Sequence, residues 1–415
     1  MLRILKRYRD CFRRSFSSEA PSDWHRSSPF PYYDPWFSRS TRGDMPRTKT
    51  GGKYTVSAVP GVGIGVEMMA ILMEVFDCMG APINFEMMPI LSNELEFKNA
   101  MLSVRRNGVA IKGNIEEKTP MQFAGRELLT KNSIFRKELD LFVNVTHIKS
   151  FRALRNLVKA KKDIDIVIMR SNHEGEFFLL EHSPMKNLIE NYKVSTSYNA
   201  DRLARYAFEY AMCYKRSKIT LAKNVETAPK CGKLFDESVS KIAKLYPKIK
   251  FESLSETAVI TTLFKNPEKF DLILCSGLTG SLIAPMLLGL IGGVTLGCFG
   301  EISERYIVFE PAGRIRGTKL MKKNVANPTP FLLAGASVLN AVGAELYADY
   351  LVDGLDETFR QGVRTADIGG KATTSDFIKA LIDNIKHKVP SVLCKHDLPL
   401  AKNKIIIPPY LHPEK

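Results

Sequence analysis

The sequence predicts an α/β fold, and three observations support this class. Residues 54–59 alternate β-forming side chains and then pass through Pro60 and a glycine-rich turn into an apolar run at helical spacing. Two further strand patterns, 109–114 and 165–170, alternate with helical patterns. Hydrophobic residues make up 45% and charged residues 25% of 415 residues, which is the composition of a globular protein.

The glycine turn of the opening unit contains Gly61, Gly63 and Gly65. A turn of this kind before a helix can hold a phosphate on the helix N-H groups. The glycine spacing, however, is not the GxGxxG pattern of dinucleotide-binding proteins. We therefore favour a packing turn and keep a phosphate site as the alternative.

The next elements follow from periodicity and capping signals. The patterns predict a strand over 82–86, a helix over 93–107, the strand over 109–114 and a helix over 132–142 with Asn132 as its cap. Residues 272–300 contain no charged side chain, which is long enough for a membrane span. Seven glycines and Pro285 in this stretch favour instead a buried strand over 272–275, a turn at Ser276 and Gly277, and an interface helix over 281–290.

The two ends of the chain differ from its middle. The first eighteen residues hold six Arg or Lys and one Asp, which predicts a mitochondrial transit peptide over 1–20, with a basic nucleic-acid-binding arm as the alternative. Residues 21–52 are rich in Pro, Ser and Gly and predict a linker. Of the net charge of +16, residues 1–52 carry eleven basic and five acidic side chains, and the rest is spread widely. Anionic small-molecule ligands are enough to explain this charge, and no zinc-finger or aromatic-basic signature appears, so we expect no nucleic-acid partner.

Cysteine usage predicts no metal centre. The seven cysteines are far apart and lack CxxC or Cys/His spacing, so we expect reduced, mostly buried thiols.

Two arginines stand where ligands are commonly bound. Arg136 lies near the start of the predicted helix over 132–142, and Arg170 ends the predicted strand over 165–170. A guanidinium grips a carboxylate through two parallel hydrogen bonds, so this pair suggests a polycarboxylate ligand. The alternative is that both arginines form internal ion pairs.

Several motifs now identify a family resemblance. Residues 54–67 resemble the "IPGDGIGPE" opening of the decarboxylating β-hydroxyacid dehydrogenases, and RSNHEGEF at 170–177 resembles their "RENTEGEY" block. The blocks at 291–293, 325–329 and 365–375 follow in the family's order, so the resemblance to the isocitrate/isopropylmalate dehydrogenase family covers about 53–388. Within it, DLFVNVTHIKS at 140–150 is similar to the gamma-type regulatory subunit of mitochondrial NAD-dependent isocitrate dehydrogenases.

The resemblance implies an isocitrate/isopropylmalate dehydrogenase-like fold. A large mixed-sheet domain is expected over 53–160 and 318–390, and a small domain over 161–317 with a clasp near 177–198. Residues 391–415 are expected to form a C-terminal tail.

The resemblance also implies a reaction whose catalytic and metal-binding side chains are replaced in this chain. Relatives use NAD and Mg²⁺ or Mn²⁺, with a tyrosine and a lysine that manage protons. The tyrosine position is Phe177 and the lysine position is Asn224, while the metal carboxylates fall on neutral side chains, namely Thr257, Ser281 and Pro285. We therefore expect no metal site, no confidently bound cofactor and no catalytic residues.

Two binding regions are expected to remain. A citrate-like tricarboxylate would use the residues around the two arginines, which are Thr130, Asn132, Ser133, Arg136 and Arg170. ADP or another nucleotide would use a basic loop and a retained asparagine, which are Arg314, Arg316, Lys319 and Asn327. A solvated basic loop is the simpler interpretation of the second region, because the polar pair of gamma-type relatives is replaced by Ile315 and Arg316.

The resulting expectation is a non-catalytic regulatory or structural subunit of mitochondrial NAD-dependent isocitrate dehydrogenase. It would pair in the matrix with a catalytic alpha-type subunit, without entering a membrane. One alternative is an active subunit in which Lys223 and Glu256 act as displaced substitutes. The other is a repurposed, non-enzymatic matrix protein.

Overall fold

The computed structural model describes residues 49–50, 52–88, 94–115, 130–158, 163–313 and 315–386. Within these ranges the chain forms ten α-helices, one mixed sheet of eleven strands and a separate two-stranded hairpin. The predicted transit peptide, most of the linker, the C-terminal tail and Arg314 lie outside the described residues.

The strands and helices have the following bounds. The strands are β1 (Lys49–Thr50), β2 (Lys53–Val59), β3 (Ile83–Met87), β4 (Val109–Lys112), β5 (Val143–Lys149), β6 (Asp165–Ser171), β7 (Gly175–Met185), β8 (Leu188–Val194), β9 (Lys218–Lys223), β10 (Lys250–Ser255), β11 (Leu272–Cys275), β12 (Cys298–Ile302) and β13 (Ile307–Pro311). The helices are α1 (Gly65–Met79), α2 (Glu94–Asn107), α3 (Lys131–Glu138), α4 (Ser197–Cys213), α5 (Pro229–Ala243), α6 (Glu256–Lys265), α7 (Gly277–Leu290), α8 (Thr329–Val342), α9 (Glu345–Arg360) and α10 (Thr374–Lys386).

The large sheet has two parallel wings joined by an antiparallel centre. Its order is β1-β2-β4-β13-β12-β5-β6-β11-β9-β10, and β3 pairs with β2. Strands β3, β2, β4 and β13 run parallel, as do β6, β11, β9 and β10. The central pairs β13–β12, β12–β5 and β5–β6 are antiparallel. The α/β class and the mixed sheet are confirmed, while the boundaries of the two domains stay a prediction.

The opening strand, turn and helix are confirmed as β2 and α1, and the turn is held internally. The amide of Val62 donates to the carbonyl of Asn114 at 2.8 Å, and that of Ile64 to the carbonyl of Arg316 at 2.8 Å. These backbone donors are thus bound to carbonyls of the same chain. This arrangement agrees with a packing turn.

The prediction for helix α3 was wrong at both ends. Its cap is Thr130, which has an extended backbone and accepts the amide of Ser133 at 3.2 Å, whereas Asn132 lies inside the helix and is buried. The helix ends at Glu138 because the chain turns through Asp140, whose φ of 50° is outside the helical region. The last four predicted helical residues therefore lead into β5 instead.

Helix α7 begins four residues earlier than predicted, at the glycine that the sequence pattern assigns to a turn. A Cβ on Gly277 would lie 2.6 Å from the ring of Phe177 and 2.9 Å from the carbonyl of Ser171. Gly277 therefore serves close packing inside the helix. The strand before it, β11, is confirmed as fully buried.

The structure also bears on the expectations about a membrane span and about buried thiols. In the described part of the chain, no helix is long and apolar enough to cross a membrane. Of the five described cysteines, only Cys275 is buried, Cys213 is exposed and the other three are intermediate, so the expectation of mostly buried thiols was wrong. Helix α7 leaves Leu278, Leu282 and Met286 half exposed, four residues apart, which places them on one face.

The close approach at Gly63 yields a stability prediction. Gly63 has φ +69°, and a Cβ there would lie 2.1 Å from the carbonyl of Arg316. We expect Gly63→Ala to lower the free energy of unfolding by about 3 kcal/mol, because backbone strain and a steric clash add. The matched control is Gly362→Ala, at φ +80° with no atom within 4 Å of the added methyl group, which should cost only about 1–2 kcal/mol. Equal losses in urea denaturation would contradict the close packing.

Candidate functional site

Helix α3 presents two buried polar side chains, one turn apart, to the centre of the sheet. Asn132 accepts a hydrogen bond from Nζ of Lys112 on β4 at 2.7 Å. Lys112 also pairs with Glu310 on β13 at 2.9 Å, and both of these side chains are at most 3% exposed. Arg136 donates from Nε to the Asn132 carbonyl at 3.1 Å, and the same nitrogen lies 3.6 Å from Oε1 of Glu301 on β12.

Arg170 belongs to the same part of the sheet. The pairing of β12 with β5 and of β5 with β6 places Glu301, Asn144 and Arg170 side by side on one face. Two strand spacings separate the Cα atoms of Glu301 and Arg170, a distance of about 10 Å. Arg170 is buried, donates to Oδ1 of Asn172 at 2.8 Å and lies 5.6 Å from the ring centre of Phe177.

A histidine connects the two arginine segments. Nε2 of His173 lies 3.4 Å from the carbonyl oxygen of Arg136, and Nδ1 lies 3.3 Å from the carboxylate of Asp140. Asp140 in turn accepts from Arg202 on α4. The structure therefore brings the predicted residues Arg136 and Arg170 into one region and fixes the end of α3 there.

The charges and donors of this region fit an anion. Three buried cations, Lys112, Arg136 and Arg170, and two buried carboxylates, Glu301 and Glu310, lie in this part of the described chain, which we call the anion region. Within the described residues, the buried Nδ2 atoms of two asparagines have no hydrogen-bond partner; these are Asn144 and Asn172. Orphaned buried donors are uncommon and call for an explanation, and an anionic ligand supplies one.

The other two residues predicted for this site have local roles. Thr130 and Ser133 form the N-terminal cap of α3, with their hydroxyl oxygens 3.0 Å apart. The sequence interpretation missed Lys112, Glu301 and Glu310. A signal was present, because each is a single charged residue in an otherwise apolar strand segment, VAIK, CFGEI or IVFEP.

The side chain at the position of the family lysine holds the loop before α5. Oδ1 of Asn224 accepts from the amides of Thr227 at 3.1 Å and Ala228 at 2.9 Å, just before α5. Its Nδ2 donates to Glu256 at 3.0 Å, and Glu256 also accepts from the hydroxyl of Thr279. Lys223 forms an ion pair with Asp236 of α5 at 2.9 Å. The two proposed substitutes, Lys223 and Glu256, therefore have different partners.

The positions of the family's metal carboxylates also make internal contacts. Thr257 donates to Glu226 at 3.1 Å, Ser281 donates to the carbonyl of Leu278 at 2.7 Å, and Pro285 lies inside α7. Among the residues that the structure describes, no three His, Cys, Asp or Glu side chains are grouped so as to hold a metal ion. The residues present do not fit Mg²⁺ or Mn²⁺, which need carboxylate oxygens.

Comparison with known proteins identifies the family. A family model described as isocitrate/isopropylmalate dehydrogenase matches residues 55–381. The chain belongs to this family. It is 36% identical over 344 residues to the mitochondrial NAD isocitrate dehydrogenase subunit gamma of Macaca fascicularis, covering 82% of this chain and 95% of that protein. It is 34% identical over 354 residues to subunit beta from the same organism, covering 84% and 90%.

A solved structure shows the same architecture. The isocitrate dehydrogenase from Methylococcus capsulatus superposes with a TM-score of 0.71 at 26% identity, over 80% of this chain and 99% of that one. The prediction of an isocitrate/isopropylmalate dehydrogenase-like fold is therefore confirmed. The mitochondrial names of the relatives agree with the predicted compartment.

The described residues of the predicted nucleotide region make the following contacts. Asn327 donates to Asp367 at 2.9 Å and accepts from the amide of Thr329 at 3.0 Å, so both ends of its amide group bind within the chain. Arg316 offers its carbonyl to the glycine turn, and Lys319 is exposed. Nucleotide binding at this loop stays a prediction.

A separate small cavity of about 40 Å³ lies beside the family lysine position. Its lining includes Ser171, Asn199, Asn224, Cys231 and Phe235. The arginines of the anion region do not line it. The cavity and the anion region are therefore distinct features of this part of the fold.

Because Lys112 and Glu310 are buried together, removing the charge of either residue should destabilise the fold. We expect Lys112→Met to lower the free energy of unfolding by about 3–5 kcal/mol, because it leaves Glu310 charged and buried. The double variant Lys112→Met, Glu310→Gln should recover part of that loss in urea denaturation. Strictly additive losses would show that the two charges are independent.

His173 predicts a pH dependence of stability. Burial lowers the pKa of His173 to about 4 and outweighs the opposing effect of Asp140. Because the folded pKa lies below the usual value of about 6.5, the stability contribution is complete above pH 6.5 and is lost as the pH falls towards 4. Between these values the wild type should lose about 2–3 kcal/mol more than His173→Gln in chemical denaturation. Parallel pH profiles of the two proteins would contradict this assignment.

Proposed function

We propose that this chain is a non-catalytic regulatory or structural subunit of a mitochondrial NAD-dependent isocitrate dehydrogenase, in which it binds an anionic tricarboxylate such as citrate. One observation carries the proposal. The region of Arg136 and Arg170 remains buried, cationic and rich in donors, whereas the family's catalytic positions make contacts within the chain. The proposed complex and compartment are those in the names of the relatives.

The proposed loss of turnover rests on the chemistry of the donor set. Oxidation of a 2-hydroxy acid by NAD followed by decarboxylation needs a metal to polarise the hydroxyl and carboxylate groups. Thr257, Ser281 and Pro285 offer no carboxylate. Phe177 has no phenolic proton, and Asn224 replaces an ionisable amine with an amide that binds the loop before α5. No step of the family reaction is assigned to these side chains.

The proposed ligand is a tricarboxylate because cationic and neutral hydrogen-bond donors lie together in this region. Arg136 and Arg170 supply guanidinium groups suited to carboxylates, and Asn144 and Asn172 supply two buried amide donors. A tricarboxylate has enough carboxylate oxygens to use several of these donors at once. We rank ADP at the loop of Arg316 and Lys319 below citrate, because Asn327 is already bound at both ends of its amide.

The proposed partner is a catalytic alpha-type subunit in the mitochondrial matrix. Helix α7 offers the half-exposed apolar face of Leu278, Leu282 and Met286. The hairpin of β7 and β8, which falls in the predicted clasp, exposes Met185 and Ile189. Exposed apolar surface of this kind marks protein contact sites.

The competing proposal of an active subunit has less support. Lys223 would have to leave Asp236 to act as a proton donor, and Glu256 would have to leave Asn224 and Thr279 to bind a metal. One carboxylate would still be too few for a hard divalent cation.

Co-purification with a catalytic alpha-type subunit tests the proposal. We expect a stable complex, isocitrate-dependent NAD reduction that needs the alpha-type subunit, and a response of that activity to citrate. Leu282→Glu on α7 should abolish the complex, whereas the matched control Leu102→Glu, at an equally exposed leucine of α2, should not. Manganese-dependent turnover by this chain alone would refute the non-catalytic role. Failure to form any complex would favour the repurposed protein.

A further inference from the structure

Two buried asparagines at neighbouring strands each keep an amide nitrogen that makes no hydrogen bond. Asn144 lies on β5 and Asn172 directly follows β6, and both side chains are at most 4% exposed. Across the part of the chain that the structure describes, Nδ2 of each residue is without a hydrogen-bond partner. A donor buried away from water without a partner costs free energy. Two such donors in one place therefore call for a ligand that accepts from them.

The oxygen of each amide is already bound, which fixes the direction of the unpaired nitrogen. Nη1 of Arg170 donates to Oδ1 of Asn172 at 2.8 Å. Because a guanidinium can only donate, the oxygen of Asn172 faces Arg170 and its nitrogen points away. The buried hydroxyl of Thr146 donates to Oδ1 of Asn144 at 3.2 Å and orients that amide in the same way.

The two asparagines lie on one face of the sheet. Asn144 pairs with Arg170 across β5 and β6, and the amide of Asn172 continues the pairing by donating to the Phe142 carbonyl at 2.9 Å. Asn172 is two residues after Arg170, and side chains two apart on a strand share a face. Asn144 and Asn172 are thus diagonal neighbours, with Cα atoms about 7–8 Å apart. One carboxylate group can accept a hydrogen bond of about 2.9 Å from each amide across this gap.

We propose that Asn144 and Asn172 together bind one carboxylate of the ligand, and that Thr146 and Nη1 of Arg170 orient their amides for this contact. The inference rests on the proposed tricarboxylate function and names the neutral donors that recognise a carboxylate there. A carboxylate accepts through both of its oxygens and brings no hydrogen that would compete with the two N-H donors. Its binding removes the free-energy cost of leaving these donors unpaired.

The unpaired donors predict opposite effects of one variant on stability and on binding. Asn144→Leu combined with Thr146→Val removes the unpaired nitrogen together with the hydroxyl that holds the amide oxygen, and replacing both partners by apolar groups is nearly neutral or stabilising. We expect the full-length variant without ligand to resist urea as well as the wild type or better. In calorimetric titration at pH 7.5 and fixed ionic strength, sodium citrate should bind at least tenfold more weakly.

A buried pair of the same two residue types provides the matched control. Nδ2 of Asn384 on α10 donates to the hydroxyl oxygen of Thr358 on α9 at 3.0 Å, and Oδ1 of Asn384 accepts from Gln361 at 2.8 Å. Both polar atoms of this asparagine are therefore paired. Asn384→Leu combined with Thr358→Val should lower the resistance to urea and leave the citrate affinity within about twofold, the reverse of the first variant.

A variant of the second asparagine covers the case in which the double variant does not fold. Asn172→Asp keeps an oxygen that accepts from Arg170 and replaces the N-H donor with a carboxylate oxygen, so we expect citrate to bind at least tenfold more weakly. Tricarballylate has the three carboxylates of citrate but lacks its hydroxyl group. Both variants should weaken its binding by the same factors. Thermal melts with and without each ligand report binding independently of heat signals.

The outcomes separate this inference from the proposed function. Citrate binding by the wild type that neither variant weakens would leave the two amides to ordered water, which overturns the inference and keeps the tricarboxylate site. A loss seen with citrate but not with tricarballylate would assign the amides to the hydroxyl group and also overturn the inference. So would a double variant of Asn144 and Thr146 that loses stability as the control does. No binding of either ligand by the wild type overturns both the inference and the proposed function.

Discussion

The burial of five ionised side chains in the centre of one sheet constrains the rest of this structure. An unpaired charge buried away from water costs about 3–5 kcal/mol, a large part of the 5–15 kcal/mol by which a whole domain is stable. Lys112 on β4 must therefore lie against Glu310 on β13, and Arg136 on α3 must lie near a carboxylate of β12. Helix α3 crosses these strands because Asn132 and Arg136 each need a partner there. The same requirement brings together strands that are far apart in sequence and gives the anion region its fixed shape.

Most of the fold could be predicted from local pattern, and the parts that could not depend on contacts between distant segments. The unit from β2 to α1 was correct because alternation, a glycine turn and helical spacing are all local signals. The pairing of Lys112 with Glu310 joins residues 198 positions apart, which no periodicity reports. The start of α7 was missed for a related reason. Gly277 signals a turn by itself, and only the ring of Phe177 packed beside it shows that the glycine serves close packing in a helix.

The replacement of side chains that the resemblance implies are catalytic was visible in the sequence, but the contacts that the replacing residues make were not. Asn224 could be recognised as an absent lysine, yet its side chain binds two backbone amides of the loop before α5, a contact that the sequence did not report. Gly232 packs so closely on the carbonyl of Asn224 that a Cβ there would lie 1.8 Å away. The site has therefore acquired a local structure of its own, and restoring a lysine would disturb that structure before it restored any proton transfer.

The charges of the anion region distinguish the proposed regulatory site of this chain from the metal-containing catalytic site of its relatives. In relatives, as the resemblance implies, a divalent metal offsets the negative charge of the substrate, whereas in the proposed site the side chains alone would do so. Glu301 and Glu310 offset part of the positive charge of Lys112, Arg136 and Arg170, so the dipoles of Asn144 and Asn172 would have to help hold a tricarboxylate. Binding limited in this way is weak. Weak binding suits a sensor, because occupancy changes most steeply when the dissociation constant is close to the ambient ligand concentration. A buried carboxylate that would be a defect in a catalytic site is thus compatible with a regulatory one.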